Sequence, residues 1–341
     1  MPTTRSMCSN VSRGGTLTEQ IRQDLEIACR AKLDRPHLKV VSVAPIAEGH
    51  SGFTYFVVLD DGGAITRCVL RLPPPGARIA GPADVMRQGR IMAALNESGL
   101  PTPTVPIICP DPIVDGRPFI LMGAVDGKRI EQTSVEQKAI DIAASAIDVL
   151  RRLQSVPPEK TGLAGEDAVP LQVEMMRWAM LMQRAPEELT GRAGELGGLL
   201  AMKIPEERPP TLVHGDFHFG NMLFHGPKVV AVLDWEIAEI GQPLLDLGCL
   251  TVMTIRRQYR DAPNPGGAID LTVDDFIGLY GIPLDEMRWY TAMSLYKYAA
   301  ILGYNLMLHR RGKRPDPMYE GLTGTIAGMI DEGISLLGRG V

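Results

Sequence analysis

The spacing of apolar residues along the chain changes once, near residue 123. Before that point, short runs alternate between apolar and polar positions, which is the pattern of strands with one buried face. From residue 134 onward, apolar residues recur every three or four positions, as they do in amphipathic helices. The predicted strands of the first part are Leu38–Pro45, Phe53–Leu59, Ile65–Leu72, Thr104–Cys109 and Pro118–Gly123. We therefore expect an α+β fold, with a small antiparallel β lobe before a larger, mainly helical lobe.

Helical spacing over residues 17–28 and 83–98 adds two helices to the β lobe. The chain has 341 residues, and at roughly 100–200 residues per domain this length suits two cooperating lobes. We predict a disordered leader over 1–16, an N-terminal β-rich nucleotide-binding lobe over 17–122, and a C-terminal catalytic and substrate-binding lobe over 123–341, entered through residues 123–127.

Composition narrows the class of protein. With 35 Lys and Arg against 40 Asp and Glu, the net charge is −5, so a general nucleic-acid binder is not expected. No apolar run reaches the roughly 18 residues that a membrane-spanning helix needs, so no membrane role is predicted. The five cysteines are scattered without a C-x-x-C pair, which favours reduced thiols and a cytoplasmic enzyme.

One segment carries most of the chemistry. Residues 212–221 read LVHGDFHFGN, and an apolar run over 229–233 then leads to Asp234. Phosphoryl transfer needs one carboxylate to orient the attacking hydroxyl, and a second carboxylate with an amide oxygen to hold Mg²⁺. Asp216, Asn221 and Asp234 supply that set in order. Each alone is equally well explained by turn chemistry, and the combination makes that explanation weaker.

The two histidines of this segment are treated differently. We expect His214 to support the loop by packing and hydrogen bonding, because a buried structural histidine is more common than a catalytic one. The sequence leaves the role of His218 open.

The runs HGDFHFGN, VAVLDWE and PLLDLG together resemble the aminoglycoside phosphotransferase-like kinases, which have a bilobal protein-kinase-like fold. The resemblance covers roughly residues 38–255. It implies an ATP-dependent kinase that uses Mg²⁺, with GTP as an open alternative, and that phosphorylates the hydroxyl of a small molecule. Asp216 then stands in the place of the catalytic base, Asn221 and Asp234 in the places of the metal ligands, and Asp246 in that of a residue supporting the loop.

The resemblance also implies a nucleotide site in the β lobe. Its members for this chain are the turn residues Gly49, His50 and Ser51, the strand residues Arg71 and Met122, and the helix residue Gln88. Arg71 takes the position of the cation that pairs with the α- and β-phosphates. Gln88 stands where the family usually has a glutamate, so we expect a neutral hydrogen bond to Arg71 in place of an ion pair.

Three short runs, VLRLPP, GLPTP and FILM, look most like phosphotransferase domains associated with acyl-CoA dehydrogenases, which implies a hydroxyacyl-CoA as acceptor. The alternatives are an aminoglycoside or macrolide phosphotransferase and a nucleotide-binding pseudokinase with a regulatory partner. An acyl-CoA dehydrogenase is disfavoured because no flavin fingerprint is present. Basic clusters at 256–260 and 309–314 suit an anionic ligand, and the ends of solvated helices explain them equally well.

Overall fold

The computed structural model describes residues 9–46, 53–255 and 269–338. The chain divides into two compact units between Asp126 and Gly127, where the sequence predicts a boundary between 122 and 123. The first unit contains an antiparallel sheet and the second is mainly helical, as predicted for an α+β protein of two lobes.

Five antiparallel strands form the sheet of the first unit, in the order β1-β2-β3-β5-β4. All five strands expected from the alternating pattern are present, with ends shifted by up to a few residues. Gly62 and Gly63 close the β2–β3 hairpin with φ values of 63° and 97°, which glycine adopts without strain. The strands are β1 (Lys39–Pro45), β2 (Phe53–Asp61), β3 (Ala64–Leu72), β4 (Ile107–Val114) and β5 (Arg117–Gly123).

Two α-helices accompany this sheet: α1 (Ser9–Leu33) and α2 (Val85–Glu97). Helix α1 buries Ile21 and Leu25 in one core with the sheet. It begins at Ser9, so the prediction of a disordered leader over 1–16 is wrong for Ser9–Thr16. A helix adds one backbone hydrogen bond for each residue by which it extends, so a packed helix can continue into a segment of poor propensity.

The second unit contains nine α-helices in the part of the chain that the structure describes. They are α3 (Ile130–Glu136), α4 (Ala139–Gln154), α5 (Leu171–Met182), α6 (Glu187–Thr190), α7 (Ala193–Met202), α8 (Leu244–Ile255), α9 (Val273–Tyr280), α10 (Leu284–Arg310) and α11 (Thr323–Gly338). Two small antiparallel pairs interrupt them: β6 (Thr211–Val213) with β9 (Glu239–Gly241), and β7 (Met222–His225) with β8 (Lys228–Val232).

Helix α10 is the longest helix of this unit and packs against α5, α8 and α11. Its crossing with α8 depends on Gly248, because a Cβ there would lie 2.3 Å from the carbonyl oxygen of Tyr290. Leaving out that one carbon lets α8 approach the N-terminal half of α10. Within the described ranges, no helix is both long and apolar enough to cross a membrane.

Candidate active site

The loop from His214 to Asn221 follows strand β6 and ends in a single 3-10 turn, Phe219–Asn221. Gly215 has a φ of 83°, and a Cβ at this position would lie 2.8 Å from the carbonyl oxygen of Ile237. Both the backbone conformation and the close neighbour therefore require glycine. The turn at Gly215 directs the next residue, Asp216, away from strand β6.

Two buried charged side chains hold the backbone at this turn. The Asp246 carboxylate accepts hydrogen bonds from the backbone N–H groups of His214 at 2.7 Å and Gly215 at 2.9 Å. The Lys297 ammonium donates to the carbonyl oxygen of Gly215. Burial raises the pKa of Asp246 to about 7, although the two backbone donors favour its charged form. Gly215 is thus bound through both its N–H and its C=O.

His214 is fully buried and uses both ring nitrogens structurally. Nδ1 accepts from the backbone N–H of Asp216 at 3.1 Å, so the proton is on Nε2, which donates to the Leu233 carbonyl at 2.8 Å. The ring packs on Trp235 with centroids 4.5 Å apart. Burial lowers the pKa of His214 to about 4, so the ring is neutral at physiological pH. These contacts suit the supporting role expected for it.

Asp216 receives hydrogen bonds at both carboxylate oxygens. Tyr298 donates its hydroxyl to Oδ1 at 2.7 Å, while Asn221 Nδ2 donates to Oδ2 at 2.9 Å. His218 Nε2 lies 3.3 Å from the same Oδ2. Burial by itself raises the pKa of this carboxyl, but His218, Lys297 and the Tyr298 hydrogen bond together hold its pKa well below the usual range. Asp216 is therefore an ionised carboxylate.

Asn221 and Asp234 are brought together by a backbone contact. The N–H of Leu233 donates to the carbonyl oxygen of Asn221 at 2.8 Å, and Asp234 is the next residue. Asp234 has a φ of 65°, a left-handed conformation that is uncommon outside glycine and tends to occur at functional sites. Because the Asn221 amide nitrogen points to Asp216, its amide oxygen remains as an acceptor.

A second acidic group lies beside the loop, on β9 and α5. Glu174 and Glu239 each lie 2.8 Å from Nη1 of Arg177. Burial and the charge of Glu174 raise the pKa of Glu239 to about 7. Lys297 is near this group, with its ammonium 5.1 Å from the centroid of the Trp178 ring. Cations of the protein therefore already compensate the acidic side chains here.

The candidate nucleotide residues lie in the first unit. Arg71 is in β3, opposite Thr54 of β2 and Ile120 of β5. Met122 is in β5 and is 8% exposed. The predicted phosphate-covering turn, with Gly49, His50 and Ser51, lies outside the described residues.

Gln88 corrects one prediction. Its amide nitrogen donates to the carbonyl oxygen of Pro82 at 2.9 Å, and its buried Oε1 has no hydrogen-bond partner among the described residues. The expected hydrogen bond from Arg71 to Gln88 is therefore wrong. Side chains on a helix lean toward its N-terminus, and in α2 that direction leads Gln88 to the turn before the helix.

The sequence did not identify Lys297 and Tyr298 as residues of the site, and it left the role of His218 undecided. The first two lie on α10, 82 residues from Gly215 and Asp216. One signal was present, because Lys297 is a lone charge within an otherwise apolar or uncharged run from Tyr290 to Met307. A buried lysine in such a run indicates an anionic or carbonyl partner inside the protein.

The basic clusters have structural explanations where they are described. Arg310 pairs with Glu188 at 2.6 Å and with Glu320 at 2.8 Å, at the C-terminal end of α10. Residues 256–260 lie outside the described part of the chain. The helix-end interpretation is therefore the better one for residues 309–314.

Over residues 42–279 the chain matches the model of the phosphotransferase enzyme family. It belongs to this family. Among similar proteins, acyl-CoA dehydrogenase family member 10 of Mus musculus is 33% identical over 278 residues, which are 74% of this chain and 25% of that protein. Family member 11 of Gallus gallus is 31% identical over 285 residues, 76% of this chain and 36% of that protein. This phosphotransferase chain thus spans about a quarter to a third of the length of these relatives.

Solved structures agree on the fold. A proposed aminoglycoside phosphotransferase from Ralstonia eutropha JMP134 has a TM-score of 0.73 at 23% identity, over 93% of this chain and 98% of that one. Aminoglycoside phosphotransferase APH(4)-Ia, in a thermostable mutant bound to ADP and hygromycin B, has a TM-score of 0.62 at 15% identity, over 93% and 100% of the two chains. These likenesses confirm the predicted kinase-like fold of two lobes.

Proposed function

We propose that this phosphotransferase is an ATP- and Mg²⁺-dependent kinase that phosphorylates the hydroxyl of a small molecule, with Asp216 as the catalytic base. The observation that carries the proposal is the ionised Asp216 carboxylate, held on a loop whose Gly215 backbone is bound by Asp246 and Lys297. A base must be charged and held in place before the substrate arrives, and the ionised, hydrogen-bonded carboxylate supports this role.

The proposed reaction transfers the γ-phosphoryl group of ATP to the acceptor hydroxyl. The acceptor hydroxyl donates its proton to Asp216 while its oxygen bonds to the γ-phosphorus of ATP. The bond from that phosphorus to the bridging oxygen breaks, and ADP leaves with the bonding electron pair. In this proposal, Arg71 binds the α- and β-phosphates through its guanidinium, and Met122 contributes an apolar surface for the nucleotide.

The donor set suits Mg²⁺. Asn221 and Asp234 offer an amide oxygen and a carboxylate, the hard oxygen ligands that Mg²⁺ prefers. No group of three or more His, Cys, Asp or Glu that could hold a metal occurs among the described residues. A pair of protein ligands fits Mg²⁺, which is commonly bound by one or two side chains with nucleotide phosphates and water. When bound, the ion would neutralise the phosphate charge.

For the acceptor we propose a hydroxyacyl-CoA. Two observations support this class over a polycationic aminoglycoside. The relatives named above are acyl-CoA dehydrogenase family members. The carboxylates beside the loop, Glu174 and Glu239, already pair with Arg177, so these two do not serve the amino groups of an aminoglycoside.

The test is ADP formation from Mg-ATP or Mg-GTP with a panel of hydroxyacyl-CoA thioesters, aminoglycosides, macrolides and sugars. We expect turnover with at least one hydroxyacyl-CoA, and a fall of at least about 100-fold in Asp216→Asn with nucleotide affinity retained. Unchanged turnover in this variant would remove Asp216 from its role. Nucleotide binding without turnover of any acceptor would support the pseudokinase, which the missing Arg71–Gln88 bond favours slightly.

The metal assignment is tested by Asp234→Ala, with Asp274→Ala, at an exposed position of α9, as the matched control. The first change removes a charged ligand, so we expect Mg-ATP binding to weaken by at least about tenfold, while the control binds like the parent. Titration calorimetry with Mg-ATP measures both. Equal affinity in all three proteins would show that Asp234 holds no metal.

A further inference from the structure

The acceptor positions of Asp216 can be counted. A carboxylate has about four lone-pair positions, two on each oxygen. Asn221 donates a hydrogen bond to Oδ2, and His218 Nε2 lies 3.3 Å from the same oxygen, whereas Oδ1 accepts from Tyr298. Among the residues that the structure describes, Oδ2 thus faces two side-chain nitrogens and Oδ1 faces one hydroxyl, so Oδ1 is the more open oxygen. A hydroxyl that gives its proton to Asp216 therefore meets Oδ1, beside the Tyr298 hydroxyl.

The His218 ring has a defined orientation and tautomer. Its Nδ1 accepts from the backbone N–H of Gly220 at 3.0 Å, so its proton is on Nε2, the atom that faces Asp216. A Cβ on Gly220 would lie 2.9 Å from the ring, so the ring rests directly on this backbone. The Nε2–H of His218 therefore faces the Asp216 carboxylate.

Tyr298 approaches Asp216 from a different element. It follows Lys297 on α10, and Lys297 binds the carbonyl oxygen of Gly215. One turn of α10 thus contacts both the backbone of the loop and its reactive carboxylate. The His218 and Tyr298 rings meet edge to face, with centroids 6.4 Å apart. The two side chains that approach the two oxygens of Asp216 therefore also support each other.

We propose that Tyr298 and His218 are positioning residues that fix the Asp216 carboxylate, so that the acceptor hydroxyl binds Oδ1 next to the Tyr298 phenol. This inference rests on the proposed kinase function. Neither residue takes part in proton transfer. Each restricts rotation of the carboxylate, His218 from the loop and Tyr298 from α10, so that Oδ1 is the more open oxygen for the substrate.

The variants are Tyr298→Phe, His218→Leu and His218→Gln. The first two each delete one donor, whereas Gln can place an amide N–H near the position of the histidine Nε2. Tyr290→Phe is the matched control, because Tyr290 is also buried on α10 and its hydroxyl has no hydrogen-bond partner in the described chain. Thermal unfolding of each variant verifies that it is folded.

Two readouts are measured on the full chain. Crystal structures give the orientation of the Asp216 carboxylate, and steady-state kinetics with Mg-ATP and the acceptor from the panel give kcat and both KM values. We expect Tyr298→Phe and His218→Leu to rotate or split the carboxylate and to lower kcat about tenfold or more, with the KM for Mg-ATP within about twofold of the parent. His218→Gln should recover most of the loss, and Tyr290→Phe should match the parent.

An unrotated carboxylate in both deletion variants would overturn the inference, as would an unchanged kcat. If Tyr298→Phe fails to fold, the comparison of His218→Leu with His218→Gln tests the inference. A kcat restored by Gln but not by Leu would show that a hydrogen-bond donor is needed at position 218. If the parent phosphorylates no acceptor, the proposed function fails, and the crystal structures still decide whether these residues position Asp216.

Discussion

The loop at Asp216 and the surroundings of Gln88 satisfy their buried polar groups to very different degrees. In the loop, His214 forms hydrogen bonds through both ring nitrogens. Asp246 of α8 accepts hydrogen bonds from the loop through both carboxylate oxygens. In the first unit, Gln88 is 1% exposed, donates one hydrogen bond and has no partner for Oε1 within the described part of the chain. The protein's own contacts determine the loop geometry, whereas Gln88 is only partly held by them.

The two regions should therefore contribute differently to the free energy of unfolding. A satisfied buried hydrogen bond contributes about 0.5–1.5 kcal/mol, and one to a charged group about 1.5–3 kcal/mol. An unsatisfied buried polar atom costs about 1–3 kcal/mol. Substitutions in the loop should therefore destabilise the protein strongly, and the same kind of change at Gln88 should do little.

The largest change in the free energy of unfolding is expected from substitutions of Asp246. Asp246→Ala leaves two backbone N–H groups without an acceptor and removes the carboxyl group near buried Lys297, so the free energy of unfolding should fall by about 4 kcal/mol. Asp246→Asn keeps one acceptor oxygen and should lose about half as much. Urea unfolding at pH 7 measures both. A loss below about 1 kcal/mol in the alanine variant would mean that the loop does not depend on this carboxylate.

The second-largest effect should be the change in stability with pH that the protonation of His214 causes. The pKa of the folded state is about 4 and that of the unfolded state is near 6.5, so at pH 5 the unfolded state binds a proton that the folded state does not. Stability is therefore present above pH 6.5 and is lost as the pH falls toward 4. Between pH 7 and pH 5 the contribution is about 2 kcal/mol. Urea unfolding of the parent and of His214→Gln at both pH values isolates it, and an equal pH dependence in the two proteins would contradict it.

The smallest effect is expected at Gln88, and the chain provides a matched control in Gln242. Both glutamines are buried, but Gln242 accepts from the Arg208 N–H at 2.7 Å and donates to the Arg208 carbonyl at 2.9 Å. Gln242→Met should cost about 2 kcal/mol, because it leaves both backbone groups unsatisfied. Gln88→Met loses one bond and removes one unsatisfied oxygen, so the change should stay below about 1 kcal/mol. Similar losses at the two positions would remove the contrast.

Much of the fold follows from local pattern. The strands of the first unit were predicted because one buried face imposes a period of two, and Gly62 and Gly63 mark a hairpin. The start of α1 was missed because residues 9–16 carry no apolar period. The Arg71–Gln88 bond was wrong because residue types in two elements do not reveal where a side chain points.

For the candidate site, the sequence by itself determined the residues that lie close along the chain. Asp216 and Asn221 share one loop, and the short β7–β8 hairpin returns Asp234 to that loop, so spacing alone brings them together. Only the tertiary structure decided which residues bind Gly215 and Asp216 from α10. Lys297 and Tyr298 reach Gly215 and Asp216 because Gly248 allows α8 and α10 to approach closely. This contact depends on how the two helices pack, and the spacing of apolar residues in either helix does not specify that packing.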